Sequence, residues 1–282
     1  MKQLLPTAVF LLMVSIGMSL KPSELVRHWR NLMGWAWLRL LVATFIIPAV
    51  IALLMERLLP LDWGEAVGLF LLSVVPGAPL TSRVAAKRGF DMQIAASYQV
   101  SSALVMPLMI PLVVYTSARL YDRNIWISPA LLFRNIAENQ FLPLLIGLAL
   151  MTYASGFSTR IRPLITGLGN ILLLIMIVAM LWMMRAKLAA ITPWVIVGAF
   201  ILAASSVLGV VLLLRGEPET NKTVALCNAN RHVGLALLLA GQYLKARDAV
   251  PAIACYALVA PLVMLAYARI VRRPRAPQAA AA

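Results

Sequence analysis

Charged and reactive side chains are scarce in this sequence. Its 282 residues include ten Asp or Glu, two His and two Cys, and charged residues make up only 12% of the chain. Hydrophobic residues make up 62%, against roughly 45–50% apolar residues in ordinary soluble domains. A soluble enzyme would have to expose much of this apolar surface, and neither a disordered chain nor a disulfide scaffold has this composition. The composition predicts an all-α membrane protein.

Basic residues are numerous but scattered. The chain has 25 Lys or Arg and a formal net charge of +15. These residues lie between apolar runs instead of forming one basic stripe, which argues against a nucleic acid partner. The expected surroundings of the chain are a lipid bilayer.

Long apolar runs predict transmembrane helices, because a helix needs about 20 mostly apolar residues to cross the hydrocarbon core. Nine runs meet this description. They cover residues 4–20, 35–57, 64–82, 94–116, 140–156, 163–184, 193–214, 221–243 and 249–271. We therefore predict a polytopic protein with nine transmembrane helices.

Lys and Arg are divided unevenly between the two sides of the membrane that nine spans define. Fourteen lie on the side of the C-terminus and nine on the side of the N-terminus. Cytoplasmic loops are enriched in these residues. We therefore expect a bacterial inner-membrane protein with its C-terminus in the cytoplasm and its N-terminus outside.

The segment 117–139 mixes apolar side chains with Asp122, Arg123, Arg134 and Glu138. This mixture predicts a connector that lies in the membrane interface, in preference to a tenth span. The connector separates a first group of four spans, residues 1–116, from a second group of five, residues 140–271. The basic end of the chain, residues 272–282, is predicted to be a disordered tail.

Two of the predicted spans are interrupted. In the third, residues 75–79 read Val-Pro-Gly-Ala-Pro, and the prolines remove amide donors and disfavour helical backbone before them. In the eighth, residues 228–232 read Asn-Ala-Asn-Arg-His and place four polar side chains where such groups face a cavity or another helix. The alternatives are a kinked structural helix and a loop between two short spans.

Both breaks fall in the next-to-last span of their group. This matching position predicts two inverted repeats of four and five spans, the first lacking one helix, whose discontinuous helices cross. Substrates of secondary transporters bind at such crossings. The predicted substrate-binding residues are Pro76, Gly77, Thr81, Ser82, Asn228, Asn230, Arg231 and His232.

Several short motifs together resemble the bile acid:sodium symporter family. They are Gly17-Met18-Ser19-Leu20, Pro48, Val75-Pro76-Gly77-Ala78, Ser101-Ser102 with the following Pro107 to Pro111, and Gly234-Leu235-Ala236. Their order and spacing over nearly the whole chain carry the resemblance. It implies two inverted repeats, a mobile core domain that contains the crossed helices, and a panel domain. It also implies sodium-coupled uptake of organic anions such as bile acids, keto acids or sulfated steroids.

The chain departs from this resemblance where the family binds sodium. When the eighth-span motifs are aligned on Gly234, the family's Glu, Gln and Asn fall on Cys227, Arg231 and His232. The family's second-span Gln falls on Ala43, and its Ser-Asn pair after the first break falls on Thr81 and Ser82. The resemblance thus implies that the second sodium site has lost its side-chain ligands. Sodium candidates for the other site are Thr81, Ser82, Gln99, Ser101 and Ser102.

The predicted function is secondary transport of a small organic anion, with no cofactor and no sodium expected at the second site. Arg231 would either contact the anion directly or act as a fixed charge in place of an ion. His232 would be either a structural histidine or a proton carrier, since its intrinsic pKa suits both protonation states near neutral pH.

Two other classes of function are weighed against transport. One is a channel or a non-transporting protein that keeps the same fold. The other is an intramembrane enzyme, which would need a metal motif or an acid pair. The spans contain neither, and all ten carboxylates fall in loops or at span ends. We therefore predict that the protein is not an enzyme.

Overall fold

A computed structural model describes residues 4–20, 23, 26–27, 35–78, 80–120, 128–189, 192–242 and 247–271. In these residues the regular structure is helical, without strands. Six helices are long and apolar enough to cross a membrane. The number, length and apolar character of these helices are those of a multi-pass membrane protein.

The described helices are numbered here in chain order. They are α1 (Leu4–Gly17), α2 (Trp35–Leu41, continuing through Val42–Ile46 into Ile47–Leu58), α3 (Trp63–Val74), α4 (Thr81–Lys87), α5 (Met92–Leu120), α6 (Pro129–Tyr153), α7 (Ser155–Ala189), α8 (Pro193–Leu213), α9 (Pro218–Asn228), α10 (Val233–Gln242) and α11 (Val250–Val271).

The candidate spans overlap six of the nine predicted ones. They are Ala36–Leu58, Met92–Thr116, Pro129–Tyr153, Pro193–Leu213, Pro218–Gly241 and Val250–Val271. The first and third predicted spans correspond to shorter apolar helices, Thr7–Gly17 and Trp63–Val74. The sixth lies in α7, where only part of the side chains are described. The total of nine spans stays a prediction.

The predicted connector 117–139 differs from the structure at both ends. Helix α5 continues to Leu120, residues 121–127 lie outside the described part, and α6 already begins at Pro129. Proline suits the first turn of a helix because its missing N–H would have no partner there. Arg134 and Glu138 pair through an exposed i,i+4 contact of 2.7 Å, so the helix accommodates both charges. The predicted tail, residues 272–282, lies outside the described residues.

Helices α1, α6 and α7 form a three-helix group. Close approach is possible because the helices meet at small residues: a Cβ atom at Gly17 would overlap the backbone carbonyl of Leu144, and one at Gly147 would overlap that of Val14. The hydroxyls of Ser15 and Thr166 hydrogen-bond across the same group. The other helices, together with Ile136 of α6, contribute to one large apolar core.

Helix α2 contains a local defect that exposes two carbonyls. Residues Val42–Ile46 form a π-helical turn, in which the N–H of Ile47 bonds to the carbonyl of Val42. The next residue, Pro48, has no N–H to offer to the preceding turn. The carbonyls of Ala43 and Thr44 are therefore available to side chains from other helices.

A buried carboxylate joins the start of α3 to the start of α8. Glu65 is only 6% exposed. Its Oε2 atom accepts hydrogen bonds from the Asp62 backbone N–H at 3.1 Å and the Thr192 hydroxyl at 3.0 Å, and its Oε1 atom accepts one from the Thr192 N–H at 3.1 Å. Three donors from two helix ends thus converge on one side chain.

We expect Glu65→Gln to lower the thermal stability of the purified protein. The amide would turn one of its N–H groups toward a donor, leaving a buried polar group unpaired at about 1–3 kcal/mol. The matched control is Glu138→Gln, because the exposed pair of Glu138 with Arg134 contributes at most about 0.5 kcal/mol. Thermal melting in detergent measures both, and equal melting curves for the two variants would contradict this role of Glu65.

Candidate functional site

The two predicted breaks hydrogen-bond to each other. The N–H of Ala78 donates to the carbonyl of Asn230 at 3.2 Å, and the N–H of His232 donates to the carbonyl of Val75 at 2.8 Å. The Asn230 side chain also donates to the Thr81 hydroxyl at 3.0 Å. The structure therefore brings the third and eighth predicted spans together at their irregular segments, which we call the crossing (residues 75–78 and 229–232).

The first break follows from its glycine and proline. Helix α3 ends at Val74, two residues before Pro76. Gly77 adopts a φ of 65°, which L side chains rarely adopt, and a Cβ atom there would lie 2.9 Å from the Cβ atom of Ser102. Helix α4 starts at Thr81, whose hydroxyl donates to the Ala78 carbonyl at 2.7 Å. Pro79, the second proline of the motif, lies outside the described residues.

The second break ends with a histidine cap. Helix α9 ends at Asn228 and α10 begins at Val233. The Nδ1 atom of His232 accepts a hydrogen bond from the Leu235 N–H at 3.0 Å. This bond satisfies one of the amide donors that the first turn of a helix leaves open. In this geometry the His232 side chain caps the first turn of α10.

Arg231 lies inside the protein and donates hydrogen bonds to three other helices. It is 2% exposed. Its Nη1 atom donates to the carbonyl of Thr44 at 2.9 Å and to that of Ser73 at 3.2 Å, and its Nη2 atom donates to the Ser206 hydroxyl at 2.8 Å. These acceptors come from α2, α3 and α8, and none carries a charge. The Nε atom has no partner among the described residues.

The side chain of Asn228 makes three hydrogen bonds inside the protein. Its amide nitrogen donates to the carbonyls of Ala43 and Ser206 at 3.1 and 2.7 Å. Its carbonyl oxygen accepts a hydrogen bond from the Tyr98 hydroxyl at 2.8 Å. The side chain thus joins α9 to α2, α5 and α8, which is a structural arrangement.

The predicted sodium candidates fall into two places. Ser82 and Gln99 meet at the start of α4, where the Ser82 N–H donates to the Gln99 Oε1 atom at 3.3 Å and the Ser82 hydroxyl has no partner in the described part of the chain. Ser101 and Ser102 line a small cavity between α2 and α5. The oxygens at both places are neutral, and the described residues include no cluster of His, Cys, Asp and Glu suited to a metal ion.

Several residues that organise the crossing were missed from the sequence. They are Thr44, Ser73, Tyr98, Ser206 and Tyr256, the last of which donates from its hydroxyl to the Ala229 carbonyl at 2.8 Å. Single hydroxyls inside apolar helices are common, so the sequence offered no signal that distinguishes these residues. For Thr44 the sequence held an indirect indication: Pro48, four residues later, has no N–H, so the backbone carbonyl of Thr44 lacks its usual helical partner.

Comparison with known proteins identifies the family. The model of the Sodium Bile acid symporter family matches residues 6–191, which is more than half of the chain. A probable sodium/metabolite cotransporter, the chloroplastic BASS3 of Arabidopsis thaliana, is 25% identical over 233 residues. This match covers 80% of the chain and 53% of the plant protein, so the chain spans about half the length of the curated relative it matches.

These findings agree with what the motifs in the first, second, third and fourth spans indicated. The family match includes most of α1, the π-helical turn of α2 and the first break, whereas the second break lies beyond its end at residue 191. The members of this family are membrane transporters. The chain belongs to the sodium bile acid symporter family.

Proposed function

We propose that this protein is a secondary active transporter that moves a small organic anion by alternating access at the crossing. The observation that carries the proposal is Arg231, a guanidinium 2% exposed with three uncharged acceptors. Charged side chains inside a membrane are rare and mark substrate or ion pathways. A buried cation without a bonded carboxylate favours the approach of an anion.

The helix that follows Arg231 adds to this positive potential. Helix α10 begins two residues later and points its N-terminal end at the crossing. The N-terminal end of a helix carries a partial positive charge and open amide donors. In this proposal the binding region also includes Pro76, Gly77, Thr81, Ser82, Asn230 and His232. Asn228 and Arg231 contribute by holding the region together.

The boundary between the two helix groups supports alternating access. The three-helix group meets α5 through a small apolar cluster that includes Met13, Ile16 and Ala96. Side-chain hydrogen bonds between described residues also cross this boundary: the Gln99 amide donates to the Met13 sulfur at 3.6 Å, and the Gln93 amide donates to the Ser19 carbonyl at 3.2 Å. A mostly apolar boundary permits one packed group to slide past another.

The repeat organisation and the membrane setting are parts of the same proposal. Nine spans in inverted repeats of four and five would place the two breaks at equivalent depths. The first repeat would be residues 1–116 and the second residues 140–271. The surplus of Lys and Arg on one side favours a cytoplasmic C-terminus in a bacterial inner membrane.

Sodium coupling at the second site of the family is not part of the proposal. The guanidinium of Arg231 is a cation and repels another cation beside it. The neutral oxygens near Thr81, Ser82 and Gln99 form a weak site, because sodium prefers oxygen ligands with negative charge nearby. One weakly bound sodium ion at that place is compatible with the proposal.

A locked, non-transporting protein is the second candidate, and one observation favours it. Both N–H donors and the carbonyl oxygen of the Asn228 side chain, and two nitrogen atoms of Arg231, already make hydrogen bonds within the protein. Uptake that saturates with substrate concentration separates a transporter from this candidate and from a channel.

We expect at least one organic anion to stabilise the purified full chain. Suitable probes are taurocholate, pyruvate and a steroid sulfate, each tested in choline and in sodium buffer. A ligand at a hundred times its dissociation constant stabilises the folded state by about 2.7 kcal/mol, which raises the melting temperature. A neutral amide of the same acid is the control. If no probe shifts the melting temperature and none enters proteoliposomes saturably, the proposed function is wrong.

A further inference from the structure

A small, partly open cavity lies between α2 and α5 beside the crossing. Its walls include Trp37, Thr44 and Phe45 from α2 and Ser101, Ser102 and Val105 from α5. It has room for about one water molecule. A space of this size accepts one oxygen atom of a polar group, while the rest of an organic molecule would remain outside.

Two polar groups of the cavity walls lack hydrogen-bond partners among the described residues. They are the Trp37 Nε1 atom and the hydroxyl of Thr44, a residue that is only 2% exposed. Leaving a buried donor unpaired costs about 1–3 kcal/mol. Because the indole nitrogen can only donate, the occupant that satisfies it must be an acceptor.

The neighbouring hydroxyls of Ser101 and Tyr98 already donate hydrogen bonds within the protein. The Ser101 hydroxyl donates to the Ser97 carbonyl at 2.7 Å. The Tyr98 hydroxyl interacts with the hydroxyls of Thr44 and Ser102, and it donates its own proton to Asn228. Among the described residues, Trp37 Nε1 and the Thr44 hydroxyl are the buried polar groups of the cavity wall that have no hydrogen-bond partner.

The charge around the cavity selects an anionic occupant. The carbonyl of Thr44 accepts the hydrogen bond from Arg231 at 2.9 Å, so the guanidinium lies directly behind the cavity wall. No Asp or Glu is among the residues that line the cavity. A sodium ion would meet the indole N–H and the positive potential of Arg231, and both disfavour it.

Ser102 connects the cavity to the first break. It lines the cavity, and it also packs so closely under Gly77 that a Cβ atom at Gly77 would lie 2.9 Å from its own Cβ atom. A ligand oxygen in the cavity would thus be held next to the segment that the proposed transport cycle moves.

We infer that the cavity binds one oxygen of the carboxylate or sulfonate group of the transported anion, with Trp37 Nε1 and the Thr44 hydroxyl as donors. This inference rests on the proposed function and names a binding subsite for its substrate. The apolar side chains of Phe45 and Val105 would contact the adjoining carbon atoms. A water molecule that stays in the cavity throughout transport is the competing occupant.

The test compares Thr44→Val and Trp37→Phe with the unmodified full chain in proteoliposomes. Thr44→Val removes one donor and keeps the side-chain shape, and Trp37→Phe removes the other donor together with one ring of the indole. With taurocholate or pyruvate as the probe, whichever the unmodified protein takes up, we expect KM to rise about tenfold or more for each variant. Thr44→Ser keeps the hydroxyl and should restore a KM near that of the unmodified protein.

The matched control is Thr116→Val. This exposed hydroxyl on the same helix as Ser102 donates to the Leu112 carbonyl at 2.7 Å, away from the cavity, and its loss should leave KM unchanged. Unchanged KM values in both Thr44→Val and Trp37→Phe would overturn the inference and leave the proposed function intact. Absence of saturable uptake by the unmodified protein would instead overturn the proposed function.

Discussion

Uptake of the transported anion is expected to be equal in sodium and in choline, and Arg231→Gln is expected to reduce uptake in choline at least tenfold. The substitution removes hydrogen bonds from a buried charged group to the Thr44 and Ser73 carbonyls and the Ser206 hydroxyl. Such bonds contribute about 1.5–3 kcal/mol each. Rates of uptake into proteoliposomes, with both cations and both proteins, measure the effect.

The same variant has a second expected property. Removing the guanidinium leaves three neutral oxygen atoms without their cation, and a sodium ion can be coordinated by them in its place. Thermal stability and uptake of Arg231→Gln should therefore increase when choline is replaced by sodium. Arg215→Gln is the control, because Arg215 is exposed in the loop between α8 and α9. Strong sodium dependence of the unmodified protein would contradict the interpretation of Arg231 as a fixed internal cation.

The second large effect is expected from Asn228→Ala. Its side chain joins the Ala43 and Ser206 carbonyls and the Tyr98 hydroxyl, which belong to three other helices. The alanine variant leaves these buried groups short of partners, and we expect a loss of stability on the order of 3 kcal/mol. Thermal melting of the purified protein should show an early transition.

Asn230→Ala provides the matched comparison for Asn228→Ala. Asn230 lies two residues further along, is partly exposed, and makes one side-chain hydrogen bond, to the Thr81 hydroxyl. Its loss should reduce stability by about 1 kcal/mol, while the anion affinity falls if Asn230 contacts substrate. Equal melting temperatures for the two variants would refute the central structural role of Asn228.

Local chemistry explains why the two breaks were predictable. Pro76 lacks an N–H and Gly77 requires a φ of 65°, so α3 has to end close to this point whatever surrounds it. The polar run at residues 228–232 marks the other end because it cannot lie against lipid. The contact between the two segments then follows from the need of their open backbone groups for partners.

Helix limits were less predictable from hydropathy. The fifth predicted span began at residue 140, whereas α6 begins at Pro129. The charges of Arg134 and Glu138 lowered the apolar character of this stretch, but their exposed i,i+4 pairing lets the helix extend through it.

The sequence by itself determined that this is an apolar, helical membrane protein with two interrupted helices, because composition and missing backbone donors act at short range. It also identified Arg231 as an unusual cation inside a span. Only the tertiary structure decided what Arg231 and Asn228 do, since their acceptors are backbone carbonyls at Ala43 and Thr44, 185 and 187 residues away in the chain. Because every residue has a backbone carbonyl, the sequence does not indicate which of them will accept a side-chain hydrogen bond. Which carbonyls are open depends on the π-helical turn and on the packing of α2 against α8 and α9.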